Sequence, residues 1–431
     1  MNTVADSVPK VPILAPAHRS DLKDVLDTIR LNYREELAQA VKVSLGVIAS
    51  LSFKNRDHCL VMVLEGGSGR GKSLTIRVLN PDRATTPAVL ERVDDFTPAS
   101  FVSHAANRSK KQLADIDLLP RIKGKVMLTK ELAPLFRDEE KELRQNFARL
   151  TAILDGEGYK THSGTHGNRG YEGQYIFNWI GATTPIPART YQVMAQLGNR
   201  ILSYEIAGAE ATEEELINFA ENYETNDAVK ACRKIVNDFM ESHFERHPVV
   251  SIDPQEVGMT RKLQEEVVRY ARLIARGRML VSADEAELPE DPRRVVLLLQ
   301  TLARGLALAN DRLEVTDDDL AIIRHVAFSS VPSRRRDLLR AILTAGGSMD
   351  AAQVQQALNV SRPTTLNRMK ELGGTGICKF YPGQSETSEA GRICLTEDFE
   401  WLLPPPLKIL GVRGMREESI CTRDPHSVKS L

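Results

Sequence analysis

The chain has 431 residues, 42% hydrophobic and 27% charged, which is the profile of a soluble globular protein with length for two or three domains. Its 57 Lys and Arg against 58 Asp and Glu leave a net charge of −1, so any nucleic-acid contact must come from local patches rather than a chain-wide basic footprint. Five scattered cysteines with no CxxC pair, no apolar run of the roughly 18–20 residues that span a bilayer, and no signal-like N-terminus argue against a disulfide framework, a zinc module and a membrane or secreted protein; a cytoplasmic setting is expected.

Residues 1–19 carry three prolines and read as a loose arm. Leu22, Val25, Leu26, Ile29, Leu37, Val41 and Leu45 then follow helical spacing, predicting one amphipathic helix from Asp21 to about Leu51. A continuous apolar run, Cys59–Leu64, has strand length and is bounded by Gly66 and Gly67. Two similar runs follow, Lys125–Thr129 and Tyr175–Ile180. Strands apolar on both faces, alternating with helical stretches such as Glu139–Leu154, predict an α/β core with a parallel sheet over residues 52–207.

From 208 to 330 nearly everything reads as helix: Glu213–Tyr223, Ala228–His243, Pro254–Arg276, Arg293–Ala309 and Asp317–Ala327. Val331–Arg336 reads as a linker whose arginines 334–336 form a local basic patch, and it leads into a smaller unit ending at 403. There Asp337–Leu343, Asp350–Leu358 and Arg362–Leu372 read as helices, with a strand pair Gly376–Tyr381 and Gly391–Leu395. Helix, helix-turn-helix and two-stranded wing make a winged-helix domain. Its last helix would present Arg362, Thr364, Thr365, Asn367, Arg368 and Lys370 to a major groove, although winged helices also dock proteins. The tail 404–431 opens on three prolines and reads as a disordered or interaction segment.

The strongest local signal is Gly66-Gly67-Ser68-Gly69-Arg70-Gly71-Lys72-Ser73, followed by Leu74, which matches G-x-x-x-x-G-K-[ST] between a predicted strand and a predicted helix, Ser73–Leu79. Glycines let the backbone curl so that its N–H groups converge on phosphate oxygens, and the helix N-terminus adds partial positive charge. Lys72 is expected to reach the β- and γ-phosphates and Ser73 to hold Mg²⁺. ATP is the expected nucleotide, though the loop itself does not read the base.

A P-loop hydrolase needs a second strand ending in acidic residues. Val126–Glu131 is the candidate, but Lys130 stands where the metal-binding Asp belongs, leaving Glu131 alone to hold Mg²⁺ or polarise water. Fast hydrolysis is therefore in doubt.

Taken in order, the P-loop, the imperfect acidic strand, the glycine-rich stretch 155–173, the strand ending Gly181–Pro185, Leu197–Ile201, the helical bundle and the C-terminal unit resemble the AAA+ ATPases. Within them the chain is similar to the minichromosome-maintenance helicases and the related ATPases of phages and mobile elements. That resemblance implies a P-loop core, a helical lid and a winged helix, acting as a homo-oligomer, hexameric by family habit, on DNA. By position it implies Thr184, with Thr183 as alternative, as the sensor 1 residue, in place of the usual Asn. It implies Arg200 as an arginine finger and Arg294 or Arg293 as sensor 2. It also implies a channel hairpin over Tyr159–Tyr171 whose Lys160, His162, His166 and Arg169 face DNA phosphates. A metal on His162 and His166 is disfavoured, because residues four apart share a face only on a helix, which the local glycines oppose. The alternatives are a slowly hydrolysing, nucleotide-gated scaffold for DNA or protein, or the ATPase subunit of a defence or mobile-element complex.

Overall fold

Apolar on both faces, the run that precedes the phosphate loop becomes an interior strand of a five-stranded parallel sheet. A computed structural model describes residues 20–80, 88–103, 110–137, 139–163, 167–208, 212–214, 217, 226–281, 289–383 and 391–403. In chain order the first half comprises α1 (Leu22–Asn32), α2 (Glu35–Ala49), β1 (Leu60–Glu65), α3 (Lys72–Leu79), β2 (Leu90–Arg92), α4 (Lys110–Ile116), α5 (Leu118–Ile122) and β3 (Val126–Thr129). It continues through α6 (Ala133–Arg137), α7 (Glu140–Leu154), the hairpin strands β4 (Gly158–Ser163) and β5 (Gly167–Glu172), β6 (Asn178–Thr183), α8 (Ala188–Leu197) and β7 (Ile201–Glu205). The helices α9 (Asn226–Arg246), α10 (Arg261–Arg278), α11 (Arg293–Ala309) and α12 (Asp317–Ser329) form the bundle. The C-terminal unit is α13 (Ser333–Thr344), β8 (Ser348–Asp350), α14 (Ala351–Leu358), α15 (Arg362–Gly374), β9 (Cys378–Tyr381) and β10 (Arg392–Leu395).

The parallel sheet has the order β2–β3–β6–β1–β7. Side chains alternate across it. Leu60, Met62 and Leu64 face the side covered by α2 and the bundle, whereas Val61 and Val63 share the other side with Trp179, Phe136, Phe147 and Leu119. Both faces are dry, which is why the strand sequences carry no alternation.

Several expectations shift. The single N-terminal helix is two, broken at Tyr33, whose extended backbone ends α1. The Tyr175–Ile180 strand begins only at Asn178, because Tyr175 N donates to Gly156 O at 2.7 Å and closes the hairpin root instead. The stretch 331–336 is not an exposed basic patch. Arg335 and Arg336 are buried, at 8% and 3% exposure, in the first turn of α13. Arg335 donates to Gly277 O and Met279 O, satisfying carbonyls at the end of α10, and pairs with Glu371 of α15 at 2.7 Å. The predicted helix over Glu213–Tyr223 lies mostly outside the described residues, as do His166, the N-terminal arm and the tail.

The C-terminal unit has the predicted helices and strand pair, joined by a third strand in the order β8–β10–β9. Asn359, left-handed at φ 49°, turns α14 into α15. The α2–α11 crossing is close: a Cβ on Gly305 would stand 2.3 Å from Gly46 O, so the N-terminal helices and the bundle share one core. At the outer edge of β7, side chains take the place of a sixth strand. Ser203 N and Glu205 N donate to Ser330 Oγ and Ser329 Oγ, while Ile201 O accepts from Arg278 and Glu205 O faces His325 Nε2 at 2.7 Å.

Candidate nucleotide site

Because β1, β3, β6 and β7 run parallel, their C-terminal ends meet on one side of the sheet, and the phosphate loop leaves β1 there. Gly69 and Gly71 adopt φ of 78° and 83°, a left-handed backbone that an L side chain resists, and nothing lies within 4 Å of a Cβ placed on Gly69. Gly66 N donates to Thr183 O, fixing the loop to β6. Gly67 and Ser68 are exposed, Arg70 donates to Gly208 O, and Leu74 packs on the core behind the loop.

Lys72 opens α3 with its ammonium folded back onto Gly66 O at 2.8 Å and Gly67 O at 2.6 Å. Burial holds its pKa below the ordinary lysine value, opposed by the carboxylate of Glu131 across the site. Ser73 is exposed beside it. Glu131, just past β3, accepts from Ala133 N at 2.9 Å through one carboxylate oxygen. Thr183 is buried at the end of β6, and Thr184 is half-buried in the turn that follows. Lys72, Glu131 and the two threonines therefore stand at one end of the sheet.

This arrangement fits a triphosphate, with an open left-handed loop, a retractable ammonium and an exposed hydroxyl. The protein oxygens that could hold a Mg²⁺ here are the Ser73 hydroxyl and the Glu131 carboxylate. No group of three or more His, Cys, Asp or Glu converges among the described residues, and Lys130 stands where a second carboxylate would be. Such sparse protein ligation suits an ion that keeps water and phosphate oxygens in its shell.

Arg200 and Arg294 stand elsewhere. Arg200 immediately precedes β7, at the opposite end of the strands and roughly 17 Å from the loop by the rise along β1, and Arg294 lies in the first turn of α11. A Cβ on Gly198 would meet Arg200 Nη1 at 3.0 Å and Arg294 Nη1 at 3.3 Å, so the two guanidinium groups flank one glycine. Arg293 instead faces solvent and pairs with Asp291.

The hairpin register divides the residues expected to face DNA. Lys160 and His162 lie on one face opposite Gly170 and Asn168, and Lys160 pairs with Glu172 at 2.7 Å. Arg169 lies on the other face with Tyr159 and Tyr171, the face whose Tyr171 hydroxyl donates to buried Asp117. On α15, Arg362, Asn367 and Lys370 are exposed around Leu366. Thr364 is half-buried with its hydroxyl 2.9 Å from that of Ser361, Arg368 is half-buried, and Thr365 is buried.

Sequence reasoning missed Glu65, Asp155 and Glu290, and read Arg336 as part of a surface patch. Glu65 ends β1 and is 1% exposed, accepting from Ile186 N at 3.1 Å and thereby holding the turn after Thr184. An acidic residue closing an otherwise apolar run was a visible signal. The other three carry none, since their partners are remote in sequence.

No family model matches the chain, and no curated protein matches it. Among solved structures, one from Cytophaga hutchinsonii named a "putative ATPase" covers 72% of this chain and 87% of its own, at 13% identity and a TM-score of 0.36. That likeness is too slight to argue from.

Proposed function

We propose that this chain is an ATPase of the AAA+ type, assembling as a homo-oligomeric ring that binds and remodels, translocates on or unwinds DNA. The observation that carries the reading is the phosphate loop at the end of an interior parallel strand, with Lys72 and Glu131 facing each other across it. Loop amides and Lys72 would hold the phosphates, Lys72 exchanging its two carbonyl partners for phosphate oxygens. Ser73 and Glu131 would hold Mg²⁺, which supplies neutralising charge to the transferring phosphoryl group. Thr184 or Thr183 would orient the γ-phosphate. Arg200 and Arg294, remote from their own loop, would complete the site of a neighbouring copy. The hairpin face bearing Lys160 and His162, and the α15 face bearing Arg362, Asn367 and Lys370, would meet DNA phosphates and bases.

Lys130 favours a second reading, in which nucleotide sets assembly and turnover is slow. One experiment separates the two: ATP binding and hydrolysis with and without single- and double-stranded DNA, beside Lys72→Ala and a light-scattering mass. The motor predicts a DNA-stimulated rate, a loss of at least 100-fold in Lys72→Ala and a mass that is a multiple of 47.9 kDa. Bound ATP with negligible, DNA-indifferent turnover would support the gated scaffold. Absence of nucleotide binding would sink both.

A further inference from the structure

Arg200 is fully engaged inside its own chain. Its Nε and Nη2 donate to the two carboxylate oxygens of Asp155 at 2.7 and 2.9 Å, and Nη1 donates to Leu197 O at 3.2 Å and Gly198 O at 2.6 Å. The arginine side chain is 9% exposed and that of Asp155 40%. A planar fork held on both prongs is the most directional ion pair available to arginine. To meet a phosphate on another subunit, the guanidinium must give up that carboxylate.

Asp155 caps the C-terminus of α7, and the chain passes from it through left-handed Gly156 into β4 two residues later. The carboxylate holding the arginine therefore belongs to the residue from which the hairpin springs. Gly156 O accepts from Tyr175 N, which ties the two legs of the hairpin together at that level. Around the pair stand Arg294, flanking the same Gly198, and Arg278 and Glu290, the latter a largely buried carboxyl whose pKa is raised by burial against the pull of Arg278, Arg294 and Arg200. Asp155 is the acid bonded to Arg200 in this cluster, whose other acids are Glu290 and Asp291. Without the Asp155 carboxylate, Arg200 keeps only the carbonyls of Leu197 and Gly198, beside the like charges of Arg294 and Arg278.

We propose that Asp155 is a positioning residue that clamps Arg200 within its own subunit and lets it go when a nucleic-acid strand displaces the β4–β5 hairpin, so that strand engagement in one subunit arms hydrolysis in the next. This rests on the reading of Arg200 as acting on a neighbour's nucleotide. The clamp is built on backbone continuity: a strand pulling on Lys160 and His162 pulls on Asp155 through Gly158, Glu157 and Gly156, with no intervening side-chain relay.

The test uses the full-length protein and a single-stranded oligonucleotide. Hydrolysis is measured with and without it for wild type, Asp155→Asn, Asp155→Glu, Arg200→Ala, Lys72→Ala and the Asp155→Asn/Arg200→Ala double variant. Asp155→Asn is expected to raise the strand-free rate about five-fold, the shift that losing one half-exposed ion pair provides, and to leave little further stimulation. Asp155→Glu should restore wild-type gating, and the double variant should fall to the Arg200→Ala floor. A strand-free rate in Asp155→Asn equal to or below wild type, with Arg200→Ala still at the floor, overturns the clamp and leaves the finger reading standing. Wild-type activity in Arg200→Ala overturns both, and wild-type activity in Lys72→Ala overturns the nucleotide site itself. Should Asp155→Asn fail to fold, hydrogen exchange across residues 197–201 of wild type decides: faster exchange on adding the oligonucleotide supports release, and unchanged exchange overturns it.

Discussion

Lys130 directly follows β3, at the position that the proposed function would give to a carboxylate, and it lies close enough to Asp94 to favour that carboxyl's charge. Asp94 is held below the usual carboxylate range first by its bond to Arg92 and only then by Lys130. Restoring the carboxylate by Lys130→Asp would add an oxygen ligand for Mg²⁺ and remove a competing cation. We expect hydrolysis to rise about ten-fold or more, measured as the initial rate at saturating ATP, with Lys72→Ala in the same background returning it to zero. An unchanged rate would mean that Lys130 is no brake. That a lysine precedes Glu131 was legible from the sequence. Its nearness to Asp94 was not, since Asp94 follows a three-residue strand, β2, too short to show any periodicity.

At the scale of the element, α9 carries a buried ring cluster. His243 is 1% exposed, stacked on Phe239 and edge-on to Phe244, and its Nε2 has no hydrogen-bond partner. Burial, then the charges of His247 and Arg246, lower its pKa to about 3. The unfolded chain takes up this proton below about 6.5 and the folded chain does not. The stability it permits is therefore complete above 6.5 and lost as pH falls towards 3. Between pH 7.5 and 5 this group alone costs about 2 kcal/mol. His58 and His325, also lowered chiefly by burial, steepen the same trend. Denaturant unfolding at the two pH values should show His243→Phe losing about 2 kcal/mol less than wild type, and equal losses would refute the assignment. The long helices α10 and α11 were legible because apolar residues recur at helical spacing along them, although α10 begins at Arg261, capped by Thr260, rather than at Pro254. The break at Tyr33 was not, because Leu37, Val41 and Leu45 continue in phase with the residues of α1 and only backbone geometry interrupts them.

Across the whole molecule, α13 joins the C-terminal unit to the strand ends that flank the phosphate loop. Arg336 pairs with Glu205 at 2.8 Å and stands 3.9 Å from Glu65, the residue immediately before Gly66, while Arg340 reaches Glu205 at 2.7 Å. Glu65 has its pKa raised by burial despite Arg336, so stripping the arginine away would leave an uncompensated buried acid. Arg336→Leu should lower unfolding stability by about 3 kcal/mol and expose residues 331–333 to limited proteolysis ahead of the rest. If cleavage there is no faster than in wild type, the docking does not depend on this pair. Sequence alone offered the opposite picture, since three consecutive arginines resemble a solvated patch until the acidic strand ends that receive them are known. The parallel core was legible from its doubly apolar strands, but β7 was not, being five residues long and balanced by Ser203 and Glu205.

That last strand has a consequence for how the protein fails when heated. Its outer edge is satisfied by Ser329, Ser330, His325 and Arg278 in place of a partner strand, so the edge stays covered only as long as α10 and α12 remain in place. Loss of those helices would bare a row of unmet amides and carbonyls on a mostly apolar strand, a template on which other chains could stack. The bundle is in this sense a solubility device, and precipitation would begin with its melting rather than with that of the sheet.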